Sequence, residues 1–222
     1  MTETLRIAAF LRRSRANGPG VRSVLWVQGC PFRCAGCFNP DFLPFAGGRE
    51  AAPTEVAAWM LAETGTEGVS FSGGEPFAQA GALAELAERV RAAGKGVVIF
   101  TGYEVAVLRA RRKAAVQRLL AVADLLVAGP YRRDLPCRHA LLASANQELV
   151  FVTERYRSAD FGPRRSEFRI GADGSVSVTG FPLSPTPLPR RGEGKRSEGP
   201  TLDAVAEAPL PWRERGWGEG AP

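Results

Sequence analysis

No run of about 18 apolar residues occurs in this 222-residue chain, which excludes a conventional membrane-spanning helix. The opening Met1-Thr2-Glu3-Thr4-Leu5-Arg6 lacks the basic segment, apolar stretch and small-residue cleavage site of a secretory signal. The cytoplasm is therefore the expected compartment, and its reducing poise keeps thiols available for metals. No internal repeat is evident. Aromatic residues do not interleave with basic ones, and no nucleic-acid-binding motif is present, so the net charge of +6 does not by itself point to a nucleic acid.

The distribution of that charge is more informative than its sum. Residues 182–222 carry six Lys/Arg against six Asp/Glu, so the excess lies in residues 1–181. Its densest cluster is Arg109, Arg111, Arg112 and Lys113, placed on an expected helix whose apolar positions Val105, Leu108, Val116, Leu119 and Leu120 mark the buried side. The plain reading is a solvated helix face; the sharper one is a docking surface for an acidic electron donor or protein partner.

Hydrophobic residues make up 45% of the chain, enough for one substantial domain with an appendage. Three of the four cysteines, Cys30, Cys34 and Cys37, stand within eight residues at C-x3-C-x2-C, directly after the apolar run Val24-Leu25-Trp26-Val27. A tight loop leaving a strand lets three soft thiolates converge. A structural zinc site closes with four protein ligands, whereas a 4Fe-4S cube held by three thiolates keeps one iron open. A zinc site completed by Cys137 or His139, or a disulfide framework, are the alternatives that the residues alone leave standing.

The spacing followed by Phe38-Asn39-Pro40, together with Ser72-Gly73-Gly74-Glu75-Pro76, resembles the radical S-adenosylmethionine (SAM) superfamily. Within it, the chain is similar to the small proteins that activate anaerobic ribonucleotide reductase. The resemblance implies that Cys30, Cys34 and Cys37 hold a 4Fe-4S cluster whose open iron chelates S-adenosyl-L-methionine. It implies that Ser72, Gly73, Gly74, Glu75 and Pro76 shape the SAM site, with Phe38 and Asn39 in support. Thr101-Gly102-Tyr103 matches a similar segment of the small activases, and Ala143-Ser144-Ala145-Asn146-Gln147 matches their Gly-Ser-x-Asn-Gln with alanine in place of glycine. Thr101 and Asn146 are therefore further candidates for cofactor contact. Gly18-Pro19-Gly20 before the first barrel strand also has its counterpart there, which implies that this loop lines the cluster mouth. A glycyl radical enzyme as partner and flavodoxin or ferredoxin as electron donor are implied in the same way. A radical SAM enzyme acting on a peptide or small metabolite, and a non-catalytic metal-binding or redox protein, are the competing functions. With only Cys137 left over, no auxiliary cluster of the usual multi-cysteine kind can be built.

Along the chain, residues 5–22 read as a short apolar segment running into an Asn-Gly-Pro-Gly loop, and residues 41–52 as irregular. Thr54 is positioned to cap a helix to about residue 63. A strand over 68–72, a helix over 80–93 stopped by Gly94, and a buried strand over 96–101 follow. The basic helix then runs to about residue 121, with strands at 124–127 and 148–152 and a hairpin turning at Asp173-Gly174. Alternation from Val24 to Val152 argues for parallel α/β architecture with ligands at the carboxyl ends of strands. The pattern does not separate an open twisted sheet from a partial barrel; the resemblance implies an incomplete (βα) barrel of the radical SAM type with a C-terminal β-hairpin.

Residues 182–222 hold eight of the 17 prolines with no sustained apolar period, a disorder signature. The expected organisation is a single-cluster domain over 1–181 and a low-complexity tail over 182–222. Removing 182–222 is expected to leave the melting temperature and iron content of the protein unchanged, because the segment has little periodic apolar surface to bury. A large fall in melting temperature on truncation would reject that boundary.

Overall fold

The computed structural model describes residues 3–170, 174 and 176–180; the expected tail over 182–222 and Asp173 of the expected turn lie outside the described residues. The chain opens with β1 (Leu5–Ser14), β2 (Arg22–Val27) and the short β3 (Arg49–Ala51). It continues through α1 (Pro53–Leu61), β4 (Gly68–Gly73), α2 (Ala80–Ala92), β5 (Gly96–Thr101), α3 (Val105–Ala110), α4 (Ala114–Val122) and β6 (Leu125–Ala128). β7 (Glu148–Phe151) ends the main sheet, and β8 (Ser166–Ile170) with β9 (Val176–Gly180) forms a separate ribbon.

The sheet has seven strands in the order β3-β1-β2-β4-β5-β6-β7. The four central strands β2, β4, β5 and β6 run parallel, while β1 and β7 are antiparallel to their inner neighbours. The fold is thus mixed α/β with a parallel-rich sheet. Central strands that read as unbroken apolar runs are buried on both faces, as in β2 and β6, where every residue is buried. Helices α1 to α4 contribute Met60, Leu83, Leu86, Leu108 and Leu119 to the principal core, where they meet Leu25, Phe71 and Ile99 of the strands.

Register is what positions the site. Val27 lies opposite Gly73, and Thr101 lies opposite Ala128. Because Phe71 pairs with Ile99, Gly73 and Thr101 fall on the same level two residues on. The carboxyl ends of the four parallel strands therefore form one row, from which every following loop departs on the same side.

Several local expectations are corrected. The segment after Leu5 is a ten-residue strand that runs through Arg12 and Arg13. Leu5, Ile7 and Phe10 join the principal core, and past a register shift between Ile7 and Ala9, Ala9 and Leu11 pack in a second cluster with Val24 and Trp26; Arg12 pairs with Glu63 and Arg13 donates to the Thr64 carbonyl. Three residues of the supposedly irregular 41–52 segment, β3, complete that edge. α1 is capped at Ala52 rather than Thr54, with Pro53 at the first helical position, where its fixed φ and missing N–H cost nothing. The basic helix is two helices, broken between Ala110 and Ala114. The alternation fails after β6: an irregular loop over 129–147 leads to β7, which returns antiparallel and half-exposed as an edge strand.

The Gly18-Pro19-Gly20 loop is also displaced from its expected place. It precedes β2, whereas the cysteines follow β2, so a whole strand separates them. Arg22, fully buried, fixes the loop at the amino ends of the strands. Its guanidinium donates to the carbonyls of Pro19 (3.0 Å), Val69 (2.7 Å) and Gly96 (3.0 Å), to Ser70 Oγ and to Tyr156 Oη. Burial lowers the pKa of that guanidinium, while Tyr156 opposes the shift.

Candidate functional site at the strand ends

Three loops leave the row of strand ends and enclose one cavity. The first, after β2, brings Cys30, Cys34 and Cys37; the second, after β4, brings Gly73, Gly74 and Glu75; the third, after β5, brings Thr101 and Gly102. The cysteine loop is held by its own backbone: Gly29 N–H donates to Phe42 O, Cys30 N–H to Leu43 O and Cys37 N–H to Cys34 O. Phe42 ends a 3-10 turn, Pro40–Phe42, that buries its side chain, and Leu43 follows it and closes the loop. Asn39 N–H approaches Cys37 Sγ at 3.4 Å.

The two glycines of the second loop are there for close approach. Gly73 has φ +105, and a Cβ on it would meet the Val27 backbone. A Cβ on Gly74 would run into the Gly29 and Phe42 carbonyls. The loop is consequently laid against the cysteine loop, with Gly74 N–H donating to Val27 O (2.7 Å) and Glu75 N–H to Gly29 O (2.9 Å).

Glu75 is the buried electrostatic centre of the arrangement, 1% exposed. One carboxylate oxygen accepts from Phe77 N–H (2.9 Å) and Thr101 Oγ1 (2.8 Å); the other accepts from Gly102 N–H (2.8 Å). Burial pushes its pKa up to about 7, against the pull of those three hydrogen bonds and the charge of Arg111. This carboxylate joins the second loop to the third rather than projecting freely into the cavity.

The other sequence-predicted residues separate into two groups. Phe38, Asn39, Ser72 and Thr101 line the cavity; Phe38 lies at its edge, with its ring 4.9 Å from that of Tyr131. Pro76 and Asn146 do not line it: Pro76 begins the 3-10 turn beneath the loop, and Asn146 donates to the Pro130 carbonyl. Gln147 lines the wall in place of Asn146, with its amide committed to Ala143 N–H and the Gly129 carbonyl. Phe32, Phe100, Gly129 and Tyr131 complete the wall. The tripeptide Gly129-Pro130-Tyr131 directly after a buried strand carried the signal for the last two.

The donor set suits an iron–sulfur cluster. All four cysteines are free and partly exposed, and the three of the motif face a common cavity that Cys137 does not line. Among the described residues no three His, Cys, Asp or Glu side chains gather for a single ion; a multi-iron cluster takes one thiolate per iron and asks for separated sulfurs. Burial raises the pKa of Cys30 to about 11 and that of Cys37 as well, so these thiols give up their protons when a metal centre supplies compensating charge.

Residues 16–150 match the model of the 4Fe-4S single cluster domain. The chain belongs to that family. It is a radical SAM protein of the activating group, and a 4Fe-4S cluster and SAM are its cofactors. Over 142 residues it is 32% identical to the anaerobic ribonucleoside-triphosphate reductase-activating protein of Escherichia coli K12, an alignment spanning 60% of this chain and 90% of that one. The protein of the same description from Vibrio cholerae is 32% identical over 126 residues, 53% of this chain and 79% of the other. The pyruvate formate-lyase-activating enzyme of Clostridium pasteurianum is 35% identical over 104 residues, and this chain spans only 44% of its length. Among solved structures, QueE from Escherichia coli aligns with 58% of the chain and 72% of its own at 15% identity and a TM-score of 0.39. No helix among the described residues is long and apolar enough to cross a membrane.

Proposed function

We propose that this 4Fe-4S single cluster protein cleaves SAM reductively and passes the resulting radical to a glycine in a partner glycyl radical enzyme of the anaerobic ribonucleotide reductase kind. The observation that carries the reading is the convergence of Cys30, Cys34 and Cys37 with the Gly73-Gly74 backbone and Thr101-Gly102 on one cavity. When bound through the three cysteines, the cluster supplies an open iron for the amino and carboxylate groups of SAM and the electron that breaks the sulfonium bond to give a 5'-deoxyadenosyl radical.

The chain's own residues bind, orient and exclude water. Gly73 and Gly74 let the backbone reach the methionyl end of SAM, which no side chain there obstructs. Ser72 offers a hydroxyl from the row of strand ends, the Thr101 hydroxyl being committed to Glu75, and Phe32, Phe38, Phe100 and Tyr131 give the wall an aromatic lining that keeps water from a reactive radical. In this reading residues 1–181 are the working domain, and the parallel strands with their helices are an incomplete (βα) barrel opening at the strand ends.

A macromolecular substrate is favoured by where the remaining chain lies. The β8–β9 ribbon is tied to the far end of β1, through Glu167 to Ser14 Oγ (2.5 Å) and Arg15 N–H (2.7 Å) and through Thr179 to Asn17. It is therefore a full strand length from the cavity and does not serve as a lid, so that among the described residues the mouth is left for the loop of another protein. Electron paramagnetic resonance on the reduced protein with SAM and the glycyl radical enzymes of the same cell is expected to give a glycyl doublet with one of them. Robust 5'-deoxyadenosine formation with no doublet from any of them would reject the activase assignment and leave SAM cleavage standing.

A further inference from the structure

The break between α3 and α4 has no cause in local sequence. Leu108-Arg109-Ala110-Arg111-Arg112-Lys113-Ala114 contains neither glycine nor proline, and its residues are among the best helix formers. Yet Arg111 and Lys113 are extended, with ψ near 119 and 118. Gln117 secures the interruption by donating to the Leu108 (3.1 Å) and Arg111 (2.6 Å) carbonyls, which a continuous helix would have used itself. A local rule broken with its own compensating bonds is expected where function imposes the geometry.

Two consequences follow from the broken shape. It presents Arg109, Arg111, Arg112 and Lys113 as exposed cations, none in an ion pair among the described residues. Neighbouring arginines of the helical layer are paired instead: Arg89 with Glu85, Arg118 with Glu88 and Arg91 with Asp124. It also turns Arg111 back toward the strand ends. The Arg111 guanidinium lies 4.2 Å from the centre of the Tyr103 ring, and that ring meets Phe32 edge-on at 4.7 Å. Phe32 lines the cavity beside the three cysteines. A continuous packed path of side chains thus joins a concentrated positive surface to the lining of the cysteine cavity.

We propose that the segment from Arg109 to Lys113 is the docking surface for an acidic one-electron carrier protein, with Arg111, Tyr103 and Phe32 as the contact path into the cysteine cavity. The inference rests on the radical SAM reading and adds the location of the donor. In the step served, the carrier is oxidised by one electron and the cluster held by Cys30, Cys34 and Cys37 is reduced by one; no bond forms or breaks and no proton moves. Electron transfer needs only such a packed contact path, whereas a glycyl radical enzyme must bring its own glycine into the cavity. Exposed Val107 on α3, 42% accessible, gives the basic surface an apolar neighbour of the kind that transient interfaces use.

The test compares two reductants on the anaerobically reconstituted full chain and on its Arg109→Glu/Arg112→Glu/Lys113→Glu variant, which leaves Arg111 in place on the Tyr103 ring. With reduced flavodoxin as the acidic carrier, the second-order rate of cluster bleaching is expected to fall at least about tenfold in the variant, and the wild-type rate to fall steeply with added salt. Titration with oxidised flavodoxin should show the same loss of affinity. With dithionite, cluster reduction and 5'-deoxyadenosine yield should match wild type, and the corresponding all-lysine variant should retain the flavodoxin rate to within about threefold. An unchanged flavodoxin rate, or loss with both reductants, would overturn the proposal. So would a deficit confined to radical transfer under dithionite, which would assign the surface to the glycyl radical enzyme. Failure of wild type to make 5'-deoxyadenosine with dithionite would instead reject the underlying activity.

Discussion

Alanine in place of Cys30, Cys34 or Cys37 is expected to abolish cluster assembly and reduce 5'-deoxyadenosine formation by more than about 100-fold, since loss of a group that merely hydrogen-bonds and orients a metal ligand already costs about 10–100-fold. The three thiols share one cavity, and an iron without its thiolate finds no free ligand in the lining: Glu75, the acid that lines it, is buried and saturated by three donors. Cys137→Ala is the control. Cys137 lies in the loop after β6, where its sulfur accepts from His139 N–H at 3.3 Å, and it does not line the cavity. That variant should keep about four irons per chain, the content of one cube, together with its SAM cleavage. Melting temperatures of the three motif variants measured without iron should stay near wild type, because the core formed by Leu25, Phe71, Leu83 and Ile99 lies below the loops. Iron lost from Cys137→Ala but retained in Cys34→Ala would overturn the assignment of the site.

The candidate site was legible in the sequence because its chemistry is local: three thiols within eight residues and a Gly-Gly turn each declare themselves without the rest of the fold. The central strands were legible for a related reason, since a strand buried on both faces is mostly apolar; the exceptions, such as Arg22 and Ser70, bond to each other and to backbone carbonyls. What failed depended on tertiary partners. β1 carries Arg12 and Arg13, which look like loop chemistry until Glu63 and the Thr64 carbonyl are seen to receive them. The break after Ala110 has no local signature, because its causes, Gln117 and Tyr103, are brought there by folding. Gly18-Pro19-Gly20 was read to the wrong end of the sheet: a loop entering a parallel strand and the loop leaving it lie at opposite ends, whatever their nearness in sequence. Asn146 and Gln147 adjoin in the chain, but only Gln147 faces the cavity, a choice set by the backbone turn and not by residue type.

Replacing Glu75 is the second substitution with a large expected effect, and it separates holding SAM from holding the cluster. Among the described residues its carboxylate is the only acceptor for the Thr101 hydroxyl and for Gly102 N–H, and it also receives Phe77 N–H. Glu75→Ala leaves these donors facing a cavity where the carboxylate was. An unmet buried donor costs about 1–3 kcal/mol, so a loss of roughly 3 kcal/mol in stability is expected after partial relaxation toward solvent. The larger consequence is geometric. Glu75 is the direct tie between the loop bearing Gly73-Gly74 and the strand end bearing Thr101-Gly102, and slack of about 1 Å in such a site is enough to cost about 100-fold. SAM affinity on the reconstituted protein should therefore fall about 100-fold in Glu75→Ala, while iron content remains at the wild-type level, because the cysteine loop is held separately by Phe42 and Leu43. Glu75→Gln should recover only part of both losses. Its amide oxygen can accept from one side, but its NH2 group then meets a second donor where the carboxylate had another acceptor. Equilibrium SAM binding, iron analysis and thermal melting on the same preparations decide the matter. Wild-type SAM affinity in Glu75→Ala would show that the carboxylate secures the fold without shaping the cofactor site, and equal deficits in Glu75→Ala and Glu75→Gln would show that hydrogen-bond matching is not what it contributes.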